Sequence, residues 1–235
     1  MPCECPSGSL SLQDWAAVLR LPHWLKNSIV LPAVLLLGMG GEPTAWMQAA
    51  WAFAAFCLAA SAVYVLNDWF DRDRDRRHPR KRRRPIAAGR VGLPFVLRTA
   101  PLLAAAAGVV ALAGGGSTVR LCIVAYLLLN LAYDVRLKHV PVLDVLSVGS
   151  GFGLRVLAVT TPGADDARAA LLLGCTVGLC TFVAACKRSA EVLEATGAGA
   201  GTGNHTAADG YTPRLLHRLL LVTGCLTAML YAGFA

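Results

Sequence analysis

The chain has 235 residues, 56% of them hydrophobic and only 15% charged, with a mean hydropathy of +0.55. Soluble domains carry about 25% charged residues, so this composition excludes an ordinary soluble domain and points to a membrane protein. The net charge of +8 is unevenly spread, with ten of the 22 Lys and Arg between Arg72 and Arg90.

That basic run follows an apolar segment, has no interleaved aromatics and sits in no recognition fold. It reads as a topology signal and not as a nucleic-acid footprint. The first 14 residues lack the basic start and apolar core of a secretory signal. They are expected to form a flexible N-terminus ahead of one transmembrane domain, 15–235.

A spanning helix needs about 20 apolar residues, or about 17 at the short end. Seven segments qualify or nearly do. The first covers 28–41 and extends backwards through "WLKN"; the second covers 45–66 and the third 91–113. The fourth, 119–133, is short, and the fifth, 140–159, contains Asp144 and Arg155. The sixth and seventh cover 169–186 and 215–235. These runs are too long and too rich in Ala and Leu for barrel strands. The expected fold is an all-α integral membrane bundle of about seven transmembrane helices.

Six of the eight cysteines (Cys57, Cys122, Cys175, Cys180, Cys186, Cys225) lie within apolar stretches, where cysteine acts as a small hydrophobe. Cys3 and Cys5 form a C-x-C with no second pair to complete a zinc site. With the N-terminus inside, the inner loops hold 18 Lys and Arg, against Arg120 and Arg168 outside. This asymmetry predicts a cytoplasmic charged face. The long inner loop "EATGAGAGTGNHTAADG" is flexible by composition.

Three inner loops carry acid and base together: 68–90, 134–144 and 187–194. If the second helix continues, Asp68, Asp71 and Asp75 fall at i, i+3 and i+7 on one face. Three such carboxylates repel one another unless a cation sits between them. Hard oxygen ligands suit Mg²⁺, which bridges one or two carboxylates to substrate phosphates. Asn67 adds a neutral ligand, and Asp73 falls off that face. The bland alternative is a solvated juxtamembrane turn, but the position of the motif, opening at a membrane helix end and running into "KRRRPIAAG", favours metal binding. Lys81, Arg82 and Arg84 suit a diphosphate or 5-phosphate, the arginines by bidentate hydrogen bonds.

In "YDVRLKHVPVLD", Asp134 and Asp144 bracket Arg136, Lys138 and His139. Asp144 falls about one turn inside the membrane face, where an unpaired acid costs a few kcal/mol. It reads either as a second Mg²⁺ ligand or as the partner of Arg155. In "KRSAE", Lys187 and Glu191 at i, i+4 read as a helix pair or as a phosphate contact.

The string "NDWFDRDRDRRHPRKRRRPIAAG", 67–89, resembles the N-D-x-x-D-x-x-x-D signature of the UbiA superfamily of intramembrane prenyltransferases. Its continuation, with "LRLPHWLKN" at 19–27, "LKHVPVLDV…SGFGLRVLA" at 137–158 and "KRSAE" at 187–191, resembles one branch, the decaprenyl-phosphate phosphoribosyltransferases.

The resemblance implies a Mg²⁺-dependent bacterial plasma-membrane enzyme with a cytoplasmic active-site face, making precursors of cell-wall arabinan. A polyprenyl phosphate would attack C1 of phosphoribosyl diphosphate and expel diphosphate. It further implies that Asn67, Asp68, Asp71 and Asp75 hold Mg²⁺ and the diphosphate, the three aspartates being catalytic. Lys81, Arg82 and Arg84 would grip phosphates, and Lys187, Arg188 and Glu191 would close the donor pocket. Lys138 and Asp144 would line it, and Lys26 would meet the lipid phosphate or the donor's charge.

Members of the superfamily usually have nine spanning helices, and the seventh ends with this sequence. The chain is then either a fragment or a form that dispenses with the last two. Asp134 and Asp144 also resemble the superfamily's second aspartate motif, which keeps open an aromatic prenyltransferase, of the 4-hydroxybenzoate type, with a prenyl diphosphate donor. A channel or transporter reading expects polar residues through mid-membrane, and the segments lack them except near Asp144 and Arg155. Homo-oligomerisation stays open.

Overall fold

The computed structural model describes residues 10–160, 165–197 and 210–234, the side chains of 194–197 excepted. Cys3, Cys5, residues 1–9 of the expected flexible N-terminus and most of the Gly-rich inner loop lie outside the described residues. The described residues hold α1 (Leu12–Leu19), α2 (Val30–Leu36), α3 (Pro43–Phe70), α4 (Arg72–Arg77), α5 (Leu93–Gly114), α6 (Ser117–Val135), α7 (Leu143–Leu157), α8 (Asp166–Gly197) and α9 (Pro213–Phe234). Short 3-10 stretches cover Leu21–Ile29, Lys81–Arg83 and Leu137–His139, and no strand occurs among the described residues.

Five helices, α3, α5, α6, α8 and α9, are long and apolar enough to cross a membrane. The other two expected segments are helical but shorter. The backward extension of the first segment is the 3-10 stretch Leu21–Ile29, and α7 starts only after Pro141 and Val142. Val142, the residue before α7, has φ 73°, a strained value for a β-branched side chain. Its N–H donates to the Tyr211 hydroxyl at 3.1 Å, which ties the start of α7 to the approach to α9.

α3 is the axis of the bundle. Its apolar stretch is 61% buried, against 6% for α9, which packs on α8 at the edge. Ala45, Ala49, Ala52, Ala55, Ala59 and Ala60 are fully or almost fully buried, and such small side chains let neighbouring helices approach closely. A second apolar cluster, Val18, Val65, Ile86, Val91, Val96 and Ala100, joins α1, α3, the 81–92 turn and α5 beneath the charged end of α3. Burying each such valine contributes about 1.5–3 kcal/mol. α1 is closed by a Ser11–Asp14 capping box at its start and by Arg20 in the left-handed region, φ 50°, at its end. Two side-chain bonds fix the following stretch: Trp24 Nε1 donates to Ser61 Oγ at 3.0 Å, and Ser61 Oγ donates to the Leu19 carbonyl at 2.8 Å.

α7 meets α8 closely at two glycines. A Cβ on Gly149 would lie 2.1 Å from Thr181 Oγ1 and 2.7 Å from the Val177 carbonyl, and one on Gly153 would lie 2.6 Å from Val177 Cγ2. A Cβ on Gly108, in α5, would meet nothing within 4 Å. Gly149→Ala is therefore expected to destabilise the bundle by about 1–3 kcal/mol through overpacking. Gly108→Ala is expected to be neutral or to stabilise by up to about 1 kcal/mol through helix propensity. Thermal unfolding of the detergent-solubilised protein compares the two.

Candidate active site

The C-terminal end of α3 runs into α4 through Asp71. The expected continuous helix is interrupted there: Asp71, with ψ near 2°, ends α3, although its N–H still donates to the Asn67 carbonyl at 2.9 Å and its own carbonyl accepts from Asp75 at 2.8 Å. The interruption matters, because Asp71 takes different partners from Asp68 and Asp75.

Asp68 and Asp75 are buried, at 4% and 1% exposure, and Arg84 clasps both. Its Nη1 lies 3.0 Å from Asp68 Oδ1 and 2.6 Å from Asp75 Oδ2. Arg20, from the end of α1, also pairs with Asp68 and lies over the Tyr64 ring at 4.6 Å. Lys81 reaches Asp75 at 4.0 Å. Burial lowers the Lys81 ammonium below its ordinary pKa, and Asp75 opposes that shift. Asp71 accepts from Lys138 at 3.0 Å and from Arg74 at 2.9 Å. Asn67 Nδ2 donates to the buried Asp134 at 2.6 Å. Asp73, on the outer side, pairs with Arg76 at 3.2 Å.

A second cluster lies at the start of α7. Arg188 grips Asp144 in bidentate fashion, Nε to Oδ2 at 2.6 Å and Nη2 to Oδ1 at 2.9 Å, and reaches Glu191 with Nη1 at 2.6 Å. Tyr133 and Tyr211 donate their hydroxyls to the same carboxylate at 2.9 and 3.4 Å. The partner of Asp144 is thus Arg188 and not Arg155. Arg155 instead meets Asn27, Gly151 and Tyr126. The reason is packing: the close α7–α8 contact at Gly149 brings α8 alongside the start of α7, while Arg155 sits three turns further on.

The inner-face residues expected at the site therefore divide. At the end of α3, Asp68, Asp75, Lys81 and Arg84 form one group, Asp71 and Lys138 a second, and Asn67 and Asp134 a third. Asp144, Arg188 and Glu191 form another. Arg82 and Lys26 are exposed, and Lys187, 76% exposed at its side chain, reaches Glu191 at 3.9 Å. Sequence reasoning took Arg20 for a topology residue and passed over Asn27, Tyr133 and Tyr211. The hollow at the α2–α3 corner, lined by Gly40, Gly41, Pro43, Trp46, Met47 and Ala50, lies at the far end of α3 and carries no titratable side chain.

The donors at the end of α3 are all hard oxygens, which suits Mg²⁺ in kind. Among the described residues, however, no three acidic, His or Cys side chains converge as a ready metal cluster. Each carboxylate faces a basic group or an amide instead. The set fits a Mg²⁺ ion that arrives with phosphate oxygens, because those oxygens would draw off the arginines and lysines and release the carboxylates.

Residues 28–235 match the UbiA prenyltransferase family. The chain belongs to this family and is an integral membrane protein. It is 37% identical over 220 residues to a decaprenyl-phosphate phosphoribosyltransferase of Corynebacterium glutamicum, covering 91% of this chain and 64% of that protein. A Mycolicibacterium smegmatis protein of the same name is 40% identical over 187 residues, covering 77% of this chain and 58% of that protein. The chain thus spans about three fifths of the length of these curated relatives. Among solved structures, a UbiA homolog from Archaeoglobus fulgidus bound to DMAPP and Mg²⁺ superposes with a TM-score of 0.72 at 18% identity, covering 94% of this chain and 77% of that one. That likeness is one of fold.

The two arginine clusters differ in kind from the exposed basic residues. Removing one partner of a buried pair leaves an uncompensated charge and costs about 3–5 kcal/mol, so Arg188→Ala is expected to lower the unfolding midpoint strongly. Arg82→Ala, at an exposed position, is expected to stay within about 0.5 kcal/mol of the parent. Unfolding curves in detergent measure both.

Proposed function

We propose that this chain carries the catalytic machinery of a Mg²⁺-dependent transferase that moves 5-phosphoribose from phosphoribosyl diphosphate to a polyprenyl (decaprenyl) phosphate. The reaction serves cell-wall arabinan precursor synthesis at the cytoplasmic face of the bacterial plasma membrane. The observation that carries this reading is the network at the end of α3, where three aspartates are each held by basic side chains from other parts of the chain. The names of the relatives at 37% and 40% identity support the phosphoribosyl branch.

In the reaction, a phosphate oxygen of the lipid forms a bond to C1 of the ribose. The bond from C1 to the diphosphate oxygen breaks, and its electron pair leaves with the diphosphate. Positive charge grows on the ribose ring and negative charge on the leaving group, so catalysis is positioning plus electrostatic stabilisation. Arg84, Lys81, Lys138 and Arg20 offer N–H donors to that leaving group once they turn from the carboxylates. Arg84 suits the task best, since its Nη1 already bridges two acidic partners and a guanidinium fork matches phosphate geometry. Asp68, Asp71 and Asp75, with Asn67 beside them, would hold Mg²⁺, which would supply further neutralisation of the diphosphate. No side chain acts as a covalent nucleophile.

An aromatic prenyltransferase would call for a second acidic metal site. Asp144 is instead saturated by Arg188 and two tyrosine hydroxyls, and Asp134 accepts from Asn67. This favours the phosphoribosyl donor.

A transfer assay on the purified protein tests the reading. Phosphoribosyl diphosphate with polyprenyl phosphate and Mg²⁺ is expected to give lipid-linked phosphoribose, with no product in EDTA. Asp68→Ala is expected to reduce the rate by at least about 10²-fold, in line with removal of a transition-state electrostatic contact. Product formation from a prenyl diphosphate and 4-hydroxybenzoate instead would overturn it.

A further inference from the structure

Arg155 is 6% exposed, deep on α7, and every group it touches is neutral. Its Nε donates to Asn27 Oδ1 at 2.7 Å, Nη1 to the Gly151 carbonyl at 2.6 Å and Nη2 to the Tyr126 hydroxyl at 3.3 Å. The rings of Phe56, Tyr126 and Phe152 lie with centroids 5.1, 4.7 and 5.3 Å from its Cζ. These contacts solvate the guanidinium without cancelling its charge. No carboxylate pairs with Arg155 among the described residues. The buried acids Asp68, Asp75 and Asp144 are, by contrast, each paired with arginine.

An unneutralised charge in an apolar bundle costs a few kcal/mol or more, and a well-packed apolar side chain would hold the helices together at least as well. The charge itself is the feature that packing does not account for. Asn27, fully buried, ties it to the 21–29 stretch that follows Arg20. The residue before it, Lys26, is exposed and has no hydrogen bond or ion pair among the described residues. Lys26 thus adjoins the buried Arg155 charge through Asn27, while the aspartates at the end of α3 already have basic partners.

We propose that Lys26 and Arg155 form the seat for the anionic headgroup of the lipid substrate, a phosphate monoester on a prenyl chain lying in the membrane. Lys26 contacts the phosphate. Arg155 acts from beneath as a positioning residue, through its uncancelled positive charge and through its bond to Asn27, which fixes the backbone that carries Lys26. The two anionic substrates then have separate counter-charges: the donor diphosphate takes the Arg84 network, and the acceptor takes Lys26 and Arg155. This rests on the reading of the chain as a transferase with a lipid phosphate acceptor.

Asn27→Asp is the discriminating variant. It keeps an oxygen acceptor for Arg155 Nε but supplies the missing carboxylate, so the fold is retained and the charge is cancelled. Binding of farnesyl phosphate, of farnesol and of phosphoribosyl diphosphate with Mg²⁺ is measured separately on the full purified chain by calorimetry. The parent is expected to prefer farnesyl phosphate over farnesol by at least about tenfold. N27D is expected to lose that preference by about tenfold, with farnesol and donor affinities and the unfolding midpoint held. Lys26→Gln is expected to weaken farnesyl phosphate in the same way. An undiminished preference in N27D, an equal loss for farnesol, or no phosphate preference in the parent each overturns the proposal. Because binding needs no turnover, the two readings fail separately. Phosphate preference without any phosphoribosyl transfer sinks the reaction and leaves the seat, whereas transfer by N27D at the parent's KM for lipid phosphate sinks the seat alone.

Discussion

The structure depends on one electrostatic constraint: carboxylates at the end of an apolar helix must not be left unpaired. Asp68 and Asp75 are almost fully buried, and an isolated ion in that position costs several kcal/mol. Arg84 meets the demand by spanning both, and Arg20 adds a second contact to Asp68. Satisfying these acids draws the end of α1 and the 81–84 turn onto α3, and Lys138 brings in the turn between α6 and α7. The same contacts that neutralise the acids therefore assemble the polar end of the bundle. The apolar cluster around Val18, Val65 and Ile86 supports them from below.

A network of this kind is poised for exchange. Arginine and lysine are by type suited to phosphate and aspartate to Mg²⁺, and here each serves as the other's partner. In the proposed reaction, a diphosphate with its metal offers both sets a replacement at once, so neither is left bare at any stage. The Asp144–Arg188 pair differs, because its bidentate geometry and two tyrosine hydroxyls leave the carboxylate no spare capacity. We assign it to holding α7 and α8 in register rather than to the metal.

Much of this was legible in the sequence. The apolar runs gave five of the seven helical segments within a few residues, because membrane-length hydrophobicity constrains helix position strongly; α2 is shorter than its segment and α8 runs well past its own. The aspartates of 67–75 were visible from spacing, and the basic residues after them from density. Their pairing was not. Arg20 and Asp68 lie 48 residues apart, Asp144 and Arg188 44, and Asn27 and Arg155 128. Which of several opposite charges meet is decided by helix packing, and that packing turns on glycines such as Gly149 whose role no hydropathy pattern marks. The break at Asp71 was hidden because its neighbours are ordinary helix formers and the i, i+4 bonds continue on both sides of it.

The central claim is that the carboxylates at the end of α3 take up metal only together with a diphosphate, because on their own they are neutralised by basic side chains. Manganese binding followed by electron paramagnetic resonance tests this directly, with Mn²⁺ standing in for Mg²⁺ on the purified protein. The expected result is weak binding to the protein alone and at least about tenfold tighter binding once phosphoribosyl diphosphate is present beyond what the free Mn²⁺–diphosphate complex accounts for. Tight Mn²⁺ binding without the diphosphate, abolished by Asp68→Ala, would contradict the account and show a preformed metal site.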